Sequence, residues 1–147
     1  MRDFLAPELG RLFPEVARAT VIARCETGAV GQGRYLKDAP CRGQQFADVA
    51  VQASPAPSLA VRLRHEWPAS VRPVEAELLD TALVRGLIEG VLELDPPALG
   101  CELVTRAVAY TDETSAIAVQ IAARLAFQDL ARRVRWNPDP FVGPNVA

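Results

Sequence analysis

The chain has 147 residues, of which 50% are hydrophobic and 23% charged, with a formal net charge of -2. At ~100–200 residues per domain, this is one domain with or without tails, long enough to bury a sizeable core. A general polyanion binder would be strongly basic, so any nucleic-acid contact must come from a local patch. No G-x-x-x-x-G-K-[ST] phosphate loop occurs, which excludes a P-loop nucleotide hydrolase within this chain. The most apolar stretch, 116–127, is broken by Gln120 and Arg124 and is far below the ~20 residues of a membrane span. Asp3, Pro7 and Glu8 stand where a signal peptide needs an apolar run, so a cytoplasmic protein without membrane contact is expected. The three cysteines, Cys25, Cys41 and Cys101, form no C-x-x-C pair and are read as reduced thiols. With a single histidine, His65, no metal site is expected.

Residues 1–15, broken by Pro7 and Pro14, are read as a small helical N-terminal arm. Residues 16–27 are β-rich and predict a first strand. Residues 28–45 hold four glycines and a proline and predict a long loop, net basic through Arg34, Lys37 and Arg42 against Asp38. Residues 46–54 and 59–67 alternate and predict a second and a third strand, antiparallel to one another across Pro55 and Pro57. Val74, Leu78, Leu79, Leu83, Leu87 and Val91 recur at helical spacing, which predicts a helix over 74–92 with that stripe buried. Asp95, Pro96 and Pro97 end it. A fourth strand is predicted over 99–109. Thr111 or Asp112 is expected to cap a second helix running to about Arg135. Ile117, Ile121, Leu125, Phe127 and Leu130 are expected inside, and the alanines at 116, 118, 122, 123 and 126 give a thin profile for close packing. Asn137-Pro138-Asp139-Pro140 then opens a loose tail over 137–147. The order β-β-β-α-β-α predicts an α+β two-layer sandwich with the helices on one face of an antiparallel or mixed sheet.

Three stretches carry a family resemblance across residues 16–136. Cys25-Glu26-Thr27 resembles an R-E-T motif. Arg42-Gly43-Gln44-Gln45-Phe46-Ala47-Asp48-Val49 resembles G-x-G-Q-Y-A-D-V, with Phe for Tyr and the glycines displaced. Gly90-Val91-Leu92 through Phe127 resembles G-V-L followed by a proline, a strand, a loop and A-F-x-x-A-A-x-x-A-F. In this order they resemble the fourth domain of elongation factor G. The resemblance implies a β-β-β-α-β-α sandwich with a left-handed β-α-β crossover, like the second domain of a small-subunit ribosomal protein. It also implies a tip that enters the ribosomal A site. The family's tip loop, D-G-S-Y-H-x-V-D-S-S, keeps only Ser115 in this chain, and Tyr110 stands at its histidine.

In the 28–45 segment, Arg34, Lys37 and Arg42 can pair with phosphates, Tyr35 can stack, and Gln44 and Gln45 can bond sugar or base edges. The plainer reading is a solvated connection; the resemblance favours RNA. Tyr110 and Thr111 are expected beside it, with helix capping as their plainer role. His65, between Leu63 and Trp67, is read as a satisfied strand histidine. Cys41 has no spare base to make it a nucleophile. The expectation is a non-enzymatic module without cofactor. Its partners would be the ribosome or ribosomal RNA, with a separate GTPase or other protein beside it, and not DNA. The alternative is a domain of the same fold repurposed for protein interaction or small-molecule binding.

Overall fold

The computed structural model describes residues 2–39, 43–110 and 115–140. In chain order the elements are β1 (Arg2–Phe4), α1 (Ala6–Leu12), α2 (Pro14–Arg18), β2 (Val21–Thr27), β3 (Ala29–Ala39), β4 (Gly43–Pro55), β5 (Ala60–Leu63), α3 (Pro73–Glu93), β6 (Cys101–Tyr110), α4 (Ala116–Ala131) and β7 (Arg135–Pro140). A five-stranded sheet has the order β1-β5-β6-β4-β3, and β2 and β7 form a separate two-stranded ribbon. The main sheet is mixed: β5 and β6 are parallel, with α3 between them in sequence, and the other neighbours are antiparallel. The molecule is an α+β sandwich, and β3-β4-β5-α3-β6-α4 reproduces the expected order β-β-β-α-β-α.

That order is filled by different segments than the sequence suggests. The predicted first strand begins in a helix, since Val16 lies in α2, and its strand part, β2, belongs to the side ribbon. The predicted 28–45 loop is a strand pair, with Ala29 to Ala39 of β3 opposite Ala53 to Gly43 of β4. The third strand does not pair with the second. It ends at Leu63 and lies beside β1 and β6. The N-terminal arm is not only helical, because Arg2–Phe4 adds an edge strand to β5. The expected loose tail begins as a strand, Asn137 to Pro140 pairing with Arg24 to Val21.

Alternation places Ala47, Val49, Val51 and Ala53 of β4 fully inside, with Leu103 and Thr105 of β6 and Val61 of β5 beside them. A register shift after Ala50 leaves Arg106 as the extra residue of a bulge in β6. In α3, Leu79, Leu83, Leu87 and Val91 are buried as expected, but Val74 and Leu78 are 71% and 61% exposed. In α4 the expected face is rotated. Ala118, Val119, Ala122, Ala123, Ala126, Phe127 and Leu130 are buried, while Ile117 and Leu125 are exposed.

The rotation has a cause in β3. An added Cβ on Gly31 would lie 2.5 Å from the Leu130 nitrogen, and one on Gly33 only 2.8 Å from the Leu125 carbonyl carbon. The strand presents bare backbone to the helix and the helix presents alanines to the strand, so larger apolar residues turn outward. On the other side, α3 meets α4 through Gly86 and Gly90; a Cβ on Gly90 would lie 2.7 Å from the Phe127 ring.

Candidate functional site

The hairpin β3–β4 and the end of β6 gather the residues singled out by the sequence. Lys37 is opposite Gln45. Tyr35 is opposite Ala47, which is in turn opposite Tyr110. Thus Tyr35, Lys37, Gln44, Gln45 and Tyr110 lie at one end of three adjacent strands. Arg34 sits just behind them. Arg42 and Thr111 lie outside the described residues, as does the alternative cap Asp112. The α4 cap within the described residues is Ser115, whose Oγ accepts from the Ala118 N–H at 3.3 Å.

The side chains differ from a uniformly solvated loop. Arg34 donates from Nε and Nη2 to Asp48 Oδ2 at 3.2 and 3.1 Å, and its guanidinium carbon lies 5.4 Å from the centre of the Phe46 ring. Gln32 Nε2 donates to both carboxylate oxygens of Asp48, at 2.9 and 3.1 Å. Asp48 is therefore an organiser that holds Arg34 flat against the sheet. Its charge offsets part of the basicity counted from the 28–45 segment alone. The Arg34 side chain remains 63% exposed, which leaves it open to an anion. Tyr35 points to the helix side and packs against the core, so it is not a free stacking platform. Lys37 is exposed. Sequence reasoning missed Gln32, Phe46 and Asp48, because their roles depend on cross-strand neighbours that only the register supplies.

The root of the hairpin is clamped by α4. Asp129 Oδ2 accepts from the Gln32 N–H at 2.9 Å, and Arg133 Nη1 donates to the Val30 carbonyl at 2.6 Å. Gln32 and Arg133 together hold the Asp129 carboxyl below its ordinary value of 3.8. A depressed carboxylate pKa contributes stability above the unfolded value, and this contribution is lost as pH falls through the folded value. The melting temperature is therefore expected to decline below about pH 4. In Asp129→Asn that share of the acid decline should be absent and stability at neutral pH lower. Thermal melts across pH check this, and an unchanged acid limb in the variant would count against the clamp.

His65 is buried with both ring nitrogens partnered, but it lies past the end of β5 and not in a strand as expected. Its Nδ1 lies 2.9 Å from Thr105 Oγ1 and its Nε2 lies 3.1 Å from Asp80 Oδ1. Trp67 Nε1 donates to the same Asp80 oxygen at 2.8 Å, and the Arg64 N–H donates to Thr105 Oγ1 at 2.8 Å. With Nε2 protonated, Nδ1 accepts from the threonine hydroxyl and every polar atom is satisfied. A hydroxyl, an imidazole and a carboxylate in line have the residue types of a nucleophile relay. Here Thr105 is fully buried, so no substrate reaches its oxygen. The network instead ties β5, α3 and β6 together. Cys25 and Cys101 are buried, each donating to a carbonyl at 3.3 Å, and burial raises both thiol pKa values. Among the described residues no cluster of His, Cys, Asp and Glu could hold a metal ion. No helix among them is long and apolar enough to cross a membrane.

No family model matches the sequence, and no curated protein matches it. A crystal structure of a Thermus thermophilus protein matches the fold with a TM-score of 0.64 and 25% identity, over 84% of this chain. The chain spans only 18% of the length of that protein. The same sandwich therefore also occurs as a segment of a much longer polypeptide.

Proposed function

We propose that the chain is a non-enzymatic, ribosome-binding module of the elongation factor G fourth-domain type, acting through the hairpin end described above. The observation that carries this reading is the convergence of Arg34, Lys37, Gln44, Gln45 and Tyr110 at one end of three neighbouring strands, on a hairpin whose root is fixed to α4. Guanidinium and ammonium groups supply phosphate contacts, and the amides and the phenol supply hydrogen bonds to sugar and base edges. The presence of this sandwich within a far longer Thermus protein supports the idea of an arm of a larger factor. These residues hold no P-loop, so on this reading any energy for movement is supplied from outside them.

Co-sedimentation with purified ribosomes tests the reading. The wild-type chain should pellet at low salt, and binding should weaken steeply as salt rises. Arg34→Ala, Lys37→Ala and Arg42→Ala combined should reduce binding by about tenfold or more and flatten the salt dependence. No pelleting at low salt overturns the proposal.

A second reading is favoured by one feature of the helix layer. An open groove of about 540 Å³ runs between the α1–α2 corner and the α3–α4 pair, lined by Phe13, Arg85, Ile88, Leu92 and Arg124 among others. Its size suits a small ligand. A repurposed small-molecule module would show a rise in melting temperature with a specific metabolite, abolished by Arg85→Ala.

A further inference from the structure

Arg34 and Phe46 form a stack on the open face of the hairpin, and we propose that the outer side of this stack receives an unpaired RNA base. This rests on the ribosome-binding reading above and names the part of the RNA that Arg34 meets. Arg34 is opposite Asp48 and Leu36 is opposite Phe46, so these four share one face of the strand pair. It is the face away from α4, because Gly31 and Gly33, at the alternate positions, are the ones seated against the helix. Asp48 is in turn opposite Ala109 of β6, which is exposed. The Arg34 guanidinium carbon lies over the Phe46 ring, 5.4 Å from its centre. Its Nε and Nη2 both donate to Asp48 Oδ2. The Asp48 side chain is only 12% exposed and also accepts from Gln32, so it is a fixed anchor. The guanidinium is thus supported from beneath by a ring and held along one edge by a carboxylate.

That arrangement decides between two uses of an arginine. A forked grip on a phosphate needs a free pair of parallel N–H groups. In Arg34 the Nε–Nη2 edge is already occupied, and the Asp48 charge beside it weakens the attraction for a second anion. The neighbouring positions on this face add no cation: Gln32 and Leu36 flank Arg34 along β3, and Phe46 and Ala109 flank Asp48. What the exposure of the side chain leaves open is the flat side turned away from the ring. Guanidinium planes and aromatic rings are the surfaces on which unpaired bases stack. Leu36 and Ala109, both exposed, add apolar surface at the margin of the stack. A base within a duplex has both faces covered by its neighbours, so this surface selects single strands. Lys37 has the opposite parity on β3 and is exposed. It remains a phosphate contact and contributes to the salt dependence of binding.

Fluorescence anisotropy with a labelled single-stranded oligoadenylate, and with the same strand in a duplex, tests the stack alongside ribosome co-sedimentation. The wild-type chain should bind the single strand about tenfold or more tighter than the duplex. Arg34→Lys keeps the charge and loses the plane. It should weaken single-strand binding by about tenfold while leaving the salt slope unchanged. Lys37→Ala should instead lower that slope by about one. Phe46→Leu removes the supporting ring and should also weaken single-strand binding, with an unchanged circular dichroism spectrum. Arg34→Lys binding the oligonucleotide as tightly as wild type overturns the stack, and so does equal affinity for strand and duplex. Either result, with wild-type pelleting on ribosomes intact, leaves the ribosome reading standing. A wild-type chain that shows the expected oligonucleotide pattern and does not pellet upholds the stack and overturns the ribosome reading. A chain that binds neither overturns both.

Discussion

Replacing Gly33 with valine is expected to lower the melting temperature by about 10 °C or more, from a loss of ~3 kcal/mol or more. The added Cβ would meet the Ala122 carbonyl oxygen, the Ala126 nitrogen and the Leu125 carbonyl carbon, the last at 2.8 Å. All three are helix backbone, so no side-chain rotation relieves the clash. Either α4 lifts from the sheet or β3 bends away from it. Lifting α4 would open the contact at Phe127 and break the Asp129 and Arg133 caps. Gly31→Val should behave similarly, since its Cβ would lie 2.5 Å from the Leu130 nitrogen. Gln32→Val, on the outer face of the same strand, is the control and should melt within a few degrees of wild type. A Gly33→Val protein with wild-type melting would show that helix and strand are not seated as described.

Phe127→Ala is expected to destabilise by about 3–5 kcal/mol, measured by urea unfolding. Phe127 is fully buried, packs over Gly90 of α3 and lies 6.3 Å from the Trp136 ring of β7. One side chain thus joins the helix pair to the ribbon. Gly90→Ala should cost ~1–3 kcal/mol by pushing on that ring. Combined with Phe127→Leu, the cost of Gly90→Ala should shrink, because the smaller side chain leaves room for the methyl group. Strict additivity of the two changes would place their contact elsewhere.

The long helix α3 and the alternation of β4 were legible because each buries side chains at its proper period. The hairpin was not legible, and the reason is specific. On β3 the residues facing α4 are Gly31 and Gly33, so the strand's buried face carries no side chains where alternation would show. Glycine was read as a turn signal when its role was close approach. The α4 face was misassigned for the complementary reason. Ile117, Ile121 and Leu125 look like core by hydrophobicity, yet only alanine fits against bare strand backbone. In β7, Pro138 and Pro140 argued against a strand. They are tolerated because β7 is the outer strand of its ribbon, where a missing N–H can face away from β2. The third strand stops at Leu63 because the Arg64 N–H turns to Thr105 Oγ1 and His65 turns into the core.

The candidate site was legible in composition and less so in geometry. Arg34, Lys37, Gln44, Gln45 and Tyr110 do converge, as a shared tip requires. Tyr35 does not take the stacking role assigned to it, because its position on the strand has the parity of Gly31 and Gly33 and so faces inward. Asp48 is read only as part of a motif and Gln32 not at all, although they set how Arg34 is held.

The glycine seat also has a mechanical meaning. At ~3.3 Å per residue, the 11 residues of β3 reach about 36 Å, and the glycine seat against residues 122–130 of α4 lies in their first half. The hairpin is a cantilever with a stiff root: strand and helix backbone touch there with no side chain between them to yield. A push on the free end is borne at the root as torque on α4, and through Phe127 and Trp136 it reaches the β2–β7 ribbon at the far side. An arm built this way turns as one body with its base, so that ribbon is where a load on the tip would be felt.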